Sequence, residues 1–253
     1  MKRVNEENYY KFKEYARTCK QGKVYPLSIT EGNQKGDIYV NSEGENKAVL
    51  FRHYCGFAFI QGEYDDVFLG GIYDILSDNV NRQRFILLTD DSYIADIFKG
   101  KQDITIEKRY FYEYGGDSVQ KIDLSDNCQL KIIDKELLHN IKGRITPYFS
   151  WDNDEDFLTN GRGYCLICDG EITAWAFSAA ISNEEIDIGV EASEKFRGRG
   201  YATIVSKAMI NHIIEQGKAP VWACHSENKG SSALAEKLGF IKTGEGFVIK
   251  RVE

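Results

Sequence analysis

The chain has 253 residues, 42% of them hydrophobic, with three prolines, 15 tyrosines and 14 phenylalanines. That composition excludes a disordered polymer and allows one large folded domain or two small ones. Its 39 acidic side chains outnumber the 32 basic ones, for a formal net charge of −7, which argues against nucleic acid or an anionic membrane as partner because both select a basic footprint.

Residues 1–20 are charged throughout and lack the apolar core of a secretory leader, and no apolar run is long enough to span a bilayer. The expectation is a cytoplasmic protein. Its cysteines, at 19, 55, 128, 165, 168 and 224, are too scattered for the disulfide framework of a small secreted scaffold and read as thiols.

Along the first part, Val4, Tyr9, Phe12, Tyr15 and Ala16 fall at helical spacing, and Gly22 is a natural stop. The polar, glycine-bearing stretch 32–47 suits a short strand between turns. Residues 48–62 read as a strand with a kink at Gly56, and 65–79 fits helix or strand equally. A strand is expected within 82–91, a short helix over 92–100 ended by Gly100, and a strand over 103–114 closed by Gly115 and Gly116. The aromatics at 110–114 suit a core or a groove lining. The polar, broken stretch 115–130 marks a boundary between an aromatic-rich α/β domain, 1–125, and a second domain, 126–253.

The second part has a helix at 135–141 and a capped acidic helix start or loop at 152–161, with Phe157 and Leu158 inward. Residues 164–177 form a hairpin about Asp169-Gly170, a dipeptide suited to the positive φ values of a type I′ turn. In the strand 184–190, Ile186, Ile188 and Val190 share one face, and Glu185, Asp187 and Gly189 the other. From Tyr201 a helix carries Ile204, Val205, Ala208, Met209 and Ile213 as its apolar stripe, ending at Gly217 before Pro220. Then come a strand at 220–224, a helix at 231–240 with Leu234, Ala235 and Leu238 inward, and a strand or strand pair over 240–252. Strands 184–190 and 220–224 are expected to be parallel neighbours joined by a right-handed crossover. No internal sequence repeat is evident.

Residues 197–202 read Arg-Gly-Arg-Gly-Tyr-Ala, between a strand and a helix. A helix start leaves backbone N–H groups unpartnered and favours negative charge, and glycines let a phosphate approach closely. Lys195, Arg197 and Arg199 add charge at the rim. A P-loop is excluded because Tyr201-Ala202 stands where Lys-Ser/Thr is required, and a dinucleotide fingerprint because Thr203 stands where the third glycine would. The competing structural reading is a tight turn with solvent-facing arginines.

The segment IDIGVEASEKFRGRGYATIVSKAMINHII resembles the coenzyme-A-binding motif of the GCN5-related N-acetyltransferase (GNAT) superfamily, with Arg197, Gly198, Gly200 and Ala202 at its marked places. The following segment, VWACHSENKGSSALAEKLGF, resembles the next motif of that superfamily, with Asn228 and the closing Lys237-Leu238-Gly239-Phe240. The resemblance covers about residue 130 to the end and is to a less-characterised bacterial subgroup with an extra N-terminal region. It implies an α/β (α+β) fold, a central mixed sheet flanked by helices, with an additional N-terminal α/β domain, for which a degenerate relative of the same fold is one reading.

The resemblance further implies acetyl transfer from acetyl-CoA to an amine, with no metal. The cofactor would be held by Ile188, Gly189 and Val190 on the strand, by Arg197, Gly198, Arg199, Gly200, Tyr201, Ala202 and Thr203 at the helix start, and by Asn228, Ser231 and Lys237. Glu185, or its rival Asp187, would take the amine proton, and a backbone N–H near Gly189 or Val190 would face the oxyanion. The family's tyrosine acid is replaced by Ala235, leaving His225, Ser231 or Ser232 as substitutes. Bland readings stand beside these: solvent-facing acids for Glu185 and Asp187, a helix cap for Asn228, a structural ring for His225.

Cys165 and Cys168 have zinc-like spacing without a second pair in register, and residues 152–156 lack the spacing of a calcium loop. His212 reads as core or interface, Trp175 and Trp222 as sheet core, and Trp151 as a candidate for the acceptor side. The expected acceptor is a small cationic amine, with a peptide amine and a homodimer both admitted. The alternatives are a non-catalytic acyl-CoA-binding or regulatory protein and a structural module that binds nothing.

Overall fold

Within the ambiguous run at 65–79, Asp66–Ser77 form a helix, and the strands before and after it are parallel neighbours. The computed structural model describes residues 1–41, 48–77, 84–116 and 118–252; the end of the stretch 32–47, the end of 65–79, the start of 82–91 and residue 117 lie outside the described residues. Two compact units are present. The first comprises Met1–Phe111, Ala223–Lys229 and Thr243–Glu253, and the second Tyr112–Trp222 and Gly230–Lys242.

The first part of the chain runs β1 (Lys2–Arg3), a 3-10 segment (Glu6–Phe12) leading into α1 (Lys13–Arg17), α2 (Val24–Thr30), β2 (Gly36–Val40), β3 (Ala48–His53), β4 (Phe57–Gly62), α3 (Asp66–Ser77), β5 (Ile86–Thr89), α4 (Ser92–Phe98) and β6 (Ile104–Tyr114). Strands β1 to β4 are antiparallel in succession, and β5 is parallel to β4. The expected kinked strand is in fact the hairpin β3–β4. Gly56 turns the chain at φ +88°, and a Cβ there would lie 2.3 Å from the Arg84 carbonyl oxygen. The core is built from Leu50, Ala58 and Ile60 of the hairpin, Phe68, Leu69 and Ile72 of α3, Leu87 of β5 and Phe98 of α4. Each buried Leu, Ile or Phe contributes about 1.5–3 kcal/mol.

The second part runs β7 (Cys128–Ile132), α5 (Lys135–Asn140), a 3-10 turn (Pro147–Phe149), α6 (Asp154–Asn160), β8 (Gly163–Cys168), β9 (Glu171–Ile181), β10 (Glu185–Ala192), α7 (Tyr201–Glu215), β11 (Ala219–His225), α8 (Lys229–Lys237) and β12 (Phe240–Arg251). Strands β7 to β10 are antiparallel in succession, and β10 is parallel to β11. The expected crossover is therefore present, and the C-terminal stretch is one strand. Its residues Phe247–Lys250 pair antiparallel with Ile86–Thr89 in the first unit. The element order of the first part recurs in the second, although the sequence shows no repeat: a strand, two helical segments, three antiparallel strands, a helix, a strand parallel to the last of the three, a helix and a strand.

Local signals in the second part behave as their chemistry dictates. Asp169 and Gly170 take φ +52° and +82°, the left-handed pair a type I′ turn requires. Helix α7 ends with Gly217 at φ +69°; its N–H donates to the Ile214 carbonyl at 2.8 Å and that of Lys218 to Ile213 at 3.1 Å, a Schellman closure. Asn153 caps α6 by accepting the Asp156 N–H at 2.9 Å. Of the two residues expected inward there, Phe157 is 2% exposed and Leu158 37%, because so short a helix buries one face only.

Two cysteines depart from expectation. Cys128 and Cys168 form a disulfide, because antiparallel pairing of β7 with β8 sets them directly opposite one another. Their separation of 40 residues hid this in the sequence. Cys19, Cys55, Cys165 and Cys224 are buried thiols. Trp151, the candidate for the acceptor side, is 2% exposed, donates to the Ser178 carbonyl at 2.8 Å and meets Phe157 edge-on at 5.8 Å.

Two predictions follow from these contacts. Closing a loop of 40 residues removes chain entropy worth about 4 kcal/mol from the unfolded state. Cys128→Ser, or reduction by dithiothreitol, should therefore lower urea-unfolding stability by up to that amount; an unchanged midpoint would contradict it. His53 is 1% exposed, with Nδ1 accepting the Cys55 N–H at 3.2 Å and its ring edge-on to Tyr25, and burial pushes its pKa from 6.5 down to about 3. The unfolded chain then binds the proton more readily, so this contribution is complete above pH 6.5 and declines toward pH 3. Acidification from pH 6.5 to 5 should cost about 2 kcal/mol, and His53→Asn should remove that part of the pH slope.

Candidate functional site

Strand β10 is paired on both edges at its start and on one at its end. Its parallel register with β11 runs Glu185↔Ala219, Ile186↔Pro220, Asp187↔Val221 and stops there, whereas pairing with β9 continues to Ala192↔Ala174. Beyond Asp187 the backbone of Ile188, Gly189 and Val190 is therefore not committed to a β11 ladder. The β9 register also shifts between Asp187 and Ile188, a bulge that twists the strands at the point where they part.

Glu185, Asp187, Gly189 and Glu191 alternate onto one face of β10. A Cβ at Gly189 would lie 2.6 Å from the Phe177 ring, so only glycine fits there. Glu185 is 9% exposed and Asp187 4%, which rules out the reading of both as solvent-facing acids. Ser182 fixes the Glu185 backbone, its Oγ accepting the Glu185 N–H at 2.8 Å and its own N–H donating to the Glu185 carbonyl at 2.8 Å.

Past β10 a 3-10 turn over Glu194–Phe196 leads to the glycines. Gly198 and Gly200 take φ +79° and +81°, and no atom lies within 4 Å of a Cβ built on either. Left-handed backbone penalises any other residue by about 1–2 kcal/mol. Gly200 occupies the N-cap of the 15-residue α7, and no side chain caps that end. Its carbonyl accepts the Thr203 N–H at 3.0 Å. The first turn, Tyr201-Ala202-Thr203, is half-buried, and Gly198, Arg199 and Gly200 are exposed. Lys195 and Arg199 lie over the Phe196 ring, 4.9 and 5.4 Å from its centroid, and Lys195 also pairs with Glu171.

Glu191 is a residue the motif comparison passed over. One carboxylate oxygen lies 3.6 Å from Arg197 Nη2, and the other accepts the Ile145 N–H at 2.7 Å. The Ile145 carbonyl in turn accepts from Trp175 Nε1 at 2.7 Å. Strand alternation was the available signal, since Glu191 follows Gly189 by two.

The remaining candidates divide. Ser231 accepts from Trp222 Nε1 at 3.1 Å, Ser232 is half-buried, and Lys237 is exposed in the last turn of α8. Ala235 is wholly buried, so the family's tyrosine would not fit that position without repacking. His225 and Asn228 belong to the Ala223–Lys229 segment of the first unit. His225 Nε2 lies 2.9 Å from Glu107 Oε2, and its Nδ1 accepts the Glu227 N–H at 3.2 Å, which sets the proton on Nε2. Lys250 reaches the same Glu107 oxygen at 2.8 Å. Burial pushes the Glu107 carboxyl up, but hydrogen bonds from Lys250 and His225 outweigh it and hold it below its ordinary value. Asn228 is exposed before α8, its N–H donating to the His225 carbonyl at 2.9 Å. His212 contacts Gln216 and Tyr164, and burial lowers its pKa.

The profile of the family described as GNAT acetyltransferase matches residues 18–246, and the chain belongs to that family. The match takes in most of both parts of the chain. "Uncharacterized N-acetyltransferase YdfB" of Bacillus subtilis (strain 168) is 24% identical over 226 residues, 86% of each chain. A GCN5-related N-acetyltransferase-like protein from Streptococcus suis 89/1591 superposes with a TM-score of 0.76 at 19% identity, covering 98% of this chain and 100% of that one. A GCN5-related N-acetyltransferase from Kribbella flavida gives 0.61 at 13%, covering 93% and 97%. These structural likenesses establish the fold.

Glu191→Ala should leave the Ile145 amide without its acceptor and lower stability by about 1–3 kcal/mol. Glu191→Gln, which keeps an acceptor oxygen, should recover most of that loss in chemical denaturation; equal losses for the two variants would contradict the assignment.

Proposed function

We propose that this protein is an acetyl-CoA-dependent N-acetyltransferase acting on an amine-bearing, small cationic acceptor. The observation that carries the reading is the start of α7: two exposed left-handed glycines with open space around them and a helix N-cap that no side chain fills. Such an end suits a diphosphate. Gly198, Gly200, Tyr201, Ala202 and Thr203 would receive it through backbone N–H groups, with Arg197 and Arg199 alongside. Ile188, Gly189 and Val190 would pair with the pantetheine arm along the edge of β10 that leaves the β11 register. Ser231 and Lys237 would contribute from α8.

Acetyl-CoA supplies an acyl thioester. The chain's own part is to orient the acceptor and to remove its proton, since a free alkyl ammonium has a pKa near ~10. Glu185 and Asp187 are the candidate bases. Asp187 is the last β10 residue in register with β11 and stands at the fork, and Glu185 lies two residues further into the paired region. For the missing tyrosine acid, Ser232 and His225 are the candidates, with His225 Nε2 2.9 Å from Glu107 and its Nδ1 accepting the Glu227 N–H. The chain's excess of acid favours a cationic acceptor. A second reading, a non-catalytic acyl-CoA-binding regulator, is favoured by one observation, the buried Ala235 at the tyrosine position.

Calorimetry with CoA and a thiol-release assay with acetyl-CoA over a panel of amines, polyamines, aminoglycosides and peptides test the two readings. The enzyme predicts amine-dependent thiol release, and binding without turnover selects the regulator. Asp187→Asn or Glu185→Gln at the true base should lower kcat by about 10²–10⁴-fold with CoA affinity retained. If both variants turn over normally, neither carboxylate is the base.

A further inference from the structure

The repeated element order allows the two units to be compared at the same structural place. In the second unit the parallel register of β10 with β11 ends after Asp187↔Val221; in the first, that of β4 with β5 ends after Phe59↔Leu88, also with three pairs. Both crossovers then enter a helix, α7 or α3. The first unit thus has its own counterpart of the gap and of the helix start to which the Proposed function assigns acetyl-CoA.

The helix start differs in chemistry. Between β4 and α3 the chain reads Gly62-Glu63-Tyr64-Asp65-Asp66, with acids where the second unit has arginines and glycines. Asp65 Oδ1 accepts the Phe68 N–H at 2.8 Å, and the Asp65 carbonyl accepts the Leu69 N–H at 3.0 Å, so the N-cap of α3 is filled by its own carboxylate. Asp66 adds a negative charge in the first turn. These charges complement the helix dipole and repel a diphosphate.

The gap differs too. The segment between α1 and α2 lies across it. Thr18 Oγ1 donates to Gln61 Oε1 of β4 at 3.2 Å, and Lys20 Nζ pairs with Asp90 Oδ2, just past β5, at 3.0 Å. Gly22 passes so close to β4 that a Cβ would lie 2.9 Å from the Phe59 ring. Cys19 is 4% exposed, and burial pushes its thiol up to about 12. What is left, between Cys19, Gln21, Phe59, Gln61, Thr89 and Asp90, is a cavity of about 20 Å³, room for a water and not for a pantetheine arm.

We infer that the first unit is a copy of the cofactor-binding fold whose site is closed by its own chain, so that the whole protein takes one CoA, in the second unit. This rests on the CoA reading of α7. Two features close the site independently: the self-capped acidic start of α3, and the segment from Thr18 to Gly22 laid across the β4–β5 gap.

Isothermal titration of the full chain with CoA tests it, run beside Arg197→Ala/Arg199→Ala and beside Glu63→Gln/Asp65→Asn/Asp66→Asn, each checked for folding by thermal melt. The expected result is one CoA per wild-type chain, loss of binding in the arginine variant, and unchanged stoichiometry and affinity in the carboxamide variant. Two CoA per wild-type chain, or a full equivalent retained by the folded arginine variant, would overturn the inference and leave CoA binding itself intact. No uptake by the wild type would overturn both this inference and the Proposed function. The wild-type stoichiometry decides the matter even if a variant does not fold.

Discussion

The second unit depends on a parallel strand pairing that stops early. Strands β10 and β11 hold register for three residues and then part. While paired, they bury Glu185 and Asp187; once parted, they release the backbone of Ile188 to Val190 from the ladder. The crossover helix must begin where β10 ends, so the divergence and the helix start lie on one continuous stretch of chain. The bulge against β9 falls at the same residue, which ties the twist of the antiparallel side to the opening on the parallel side.

The glycines complete this arrangement through backbone conformation. At φ +79° and +81° Gly198 and Gly200 turn the chain from the strand into α7 without filling the space before the helix. The charged side chains nearby have other contacts already: Lys195 with Glu171, Arg197 with Glu191, and Lys195 and Arg199 over Phe196. Glu191 joins this loop to the peptide of Ile145, between α5 and the 3-10 turn that precedes α6. A shift in the loop therefore has a direct hydrogen-bonded route to the segment before α6, through a carboxylate that is only 16% exposed.

The same element order leads to two different helix starts in one chain. In the first unit the helix after the crossover is capped by Asp65 and its gap is crossed by Thr18 to Gly22; in the second the cap is a bare glycine. The core of the first unit is no less developed, with Phe68, Leu69, Ile72 and Leu87 all nearly inaccessible. The fold persists through apolar spacing and burial, while the two helix starts differ in a few turn residues that contribute little to the core. The family match, spanning residues 18–246, fits a chain in which both halves carry the architecture.

Local chemistry was legible in the sequence. The Asp169-Gly170 turn, the Gly217 helix stop, the stripe of α7 and the glycine-rich helix start all depend on neighbours within a few residues, and periodicity and φ preference report on such neighbours directly. The family motifs, being contiguous, were readable for the same reason. What depended on distant partners was decided by tertiary structure alone. Helix against strand at 65–79 turned on packing against the β3–β4 hairpin. The Cys128–Cys168 disulfide needed the β7–β8 register, the burial of Trp151 needed β9, and the engagement of His225 needed Glu107, more than a hundred residues away. A sequence states what each residue can do; only the register of strands far apart in the chain determines which of those capacities meet.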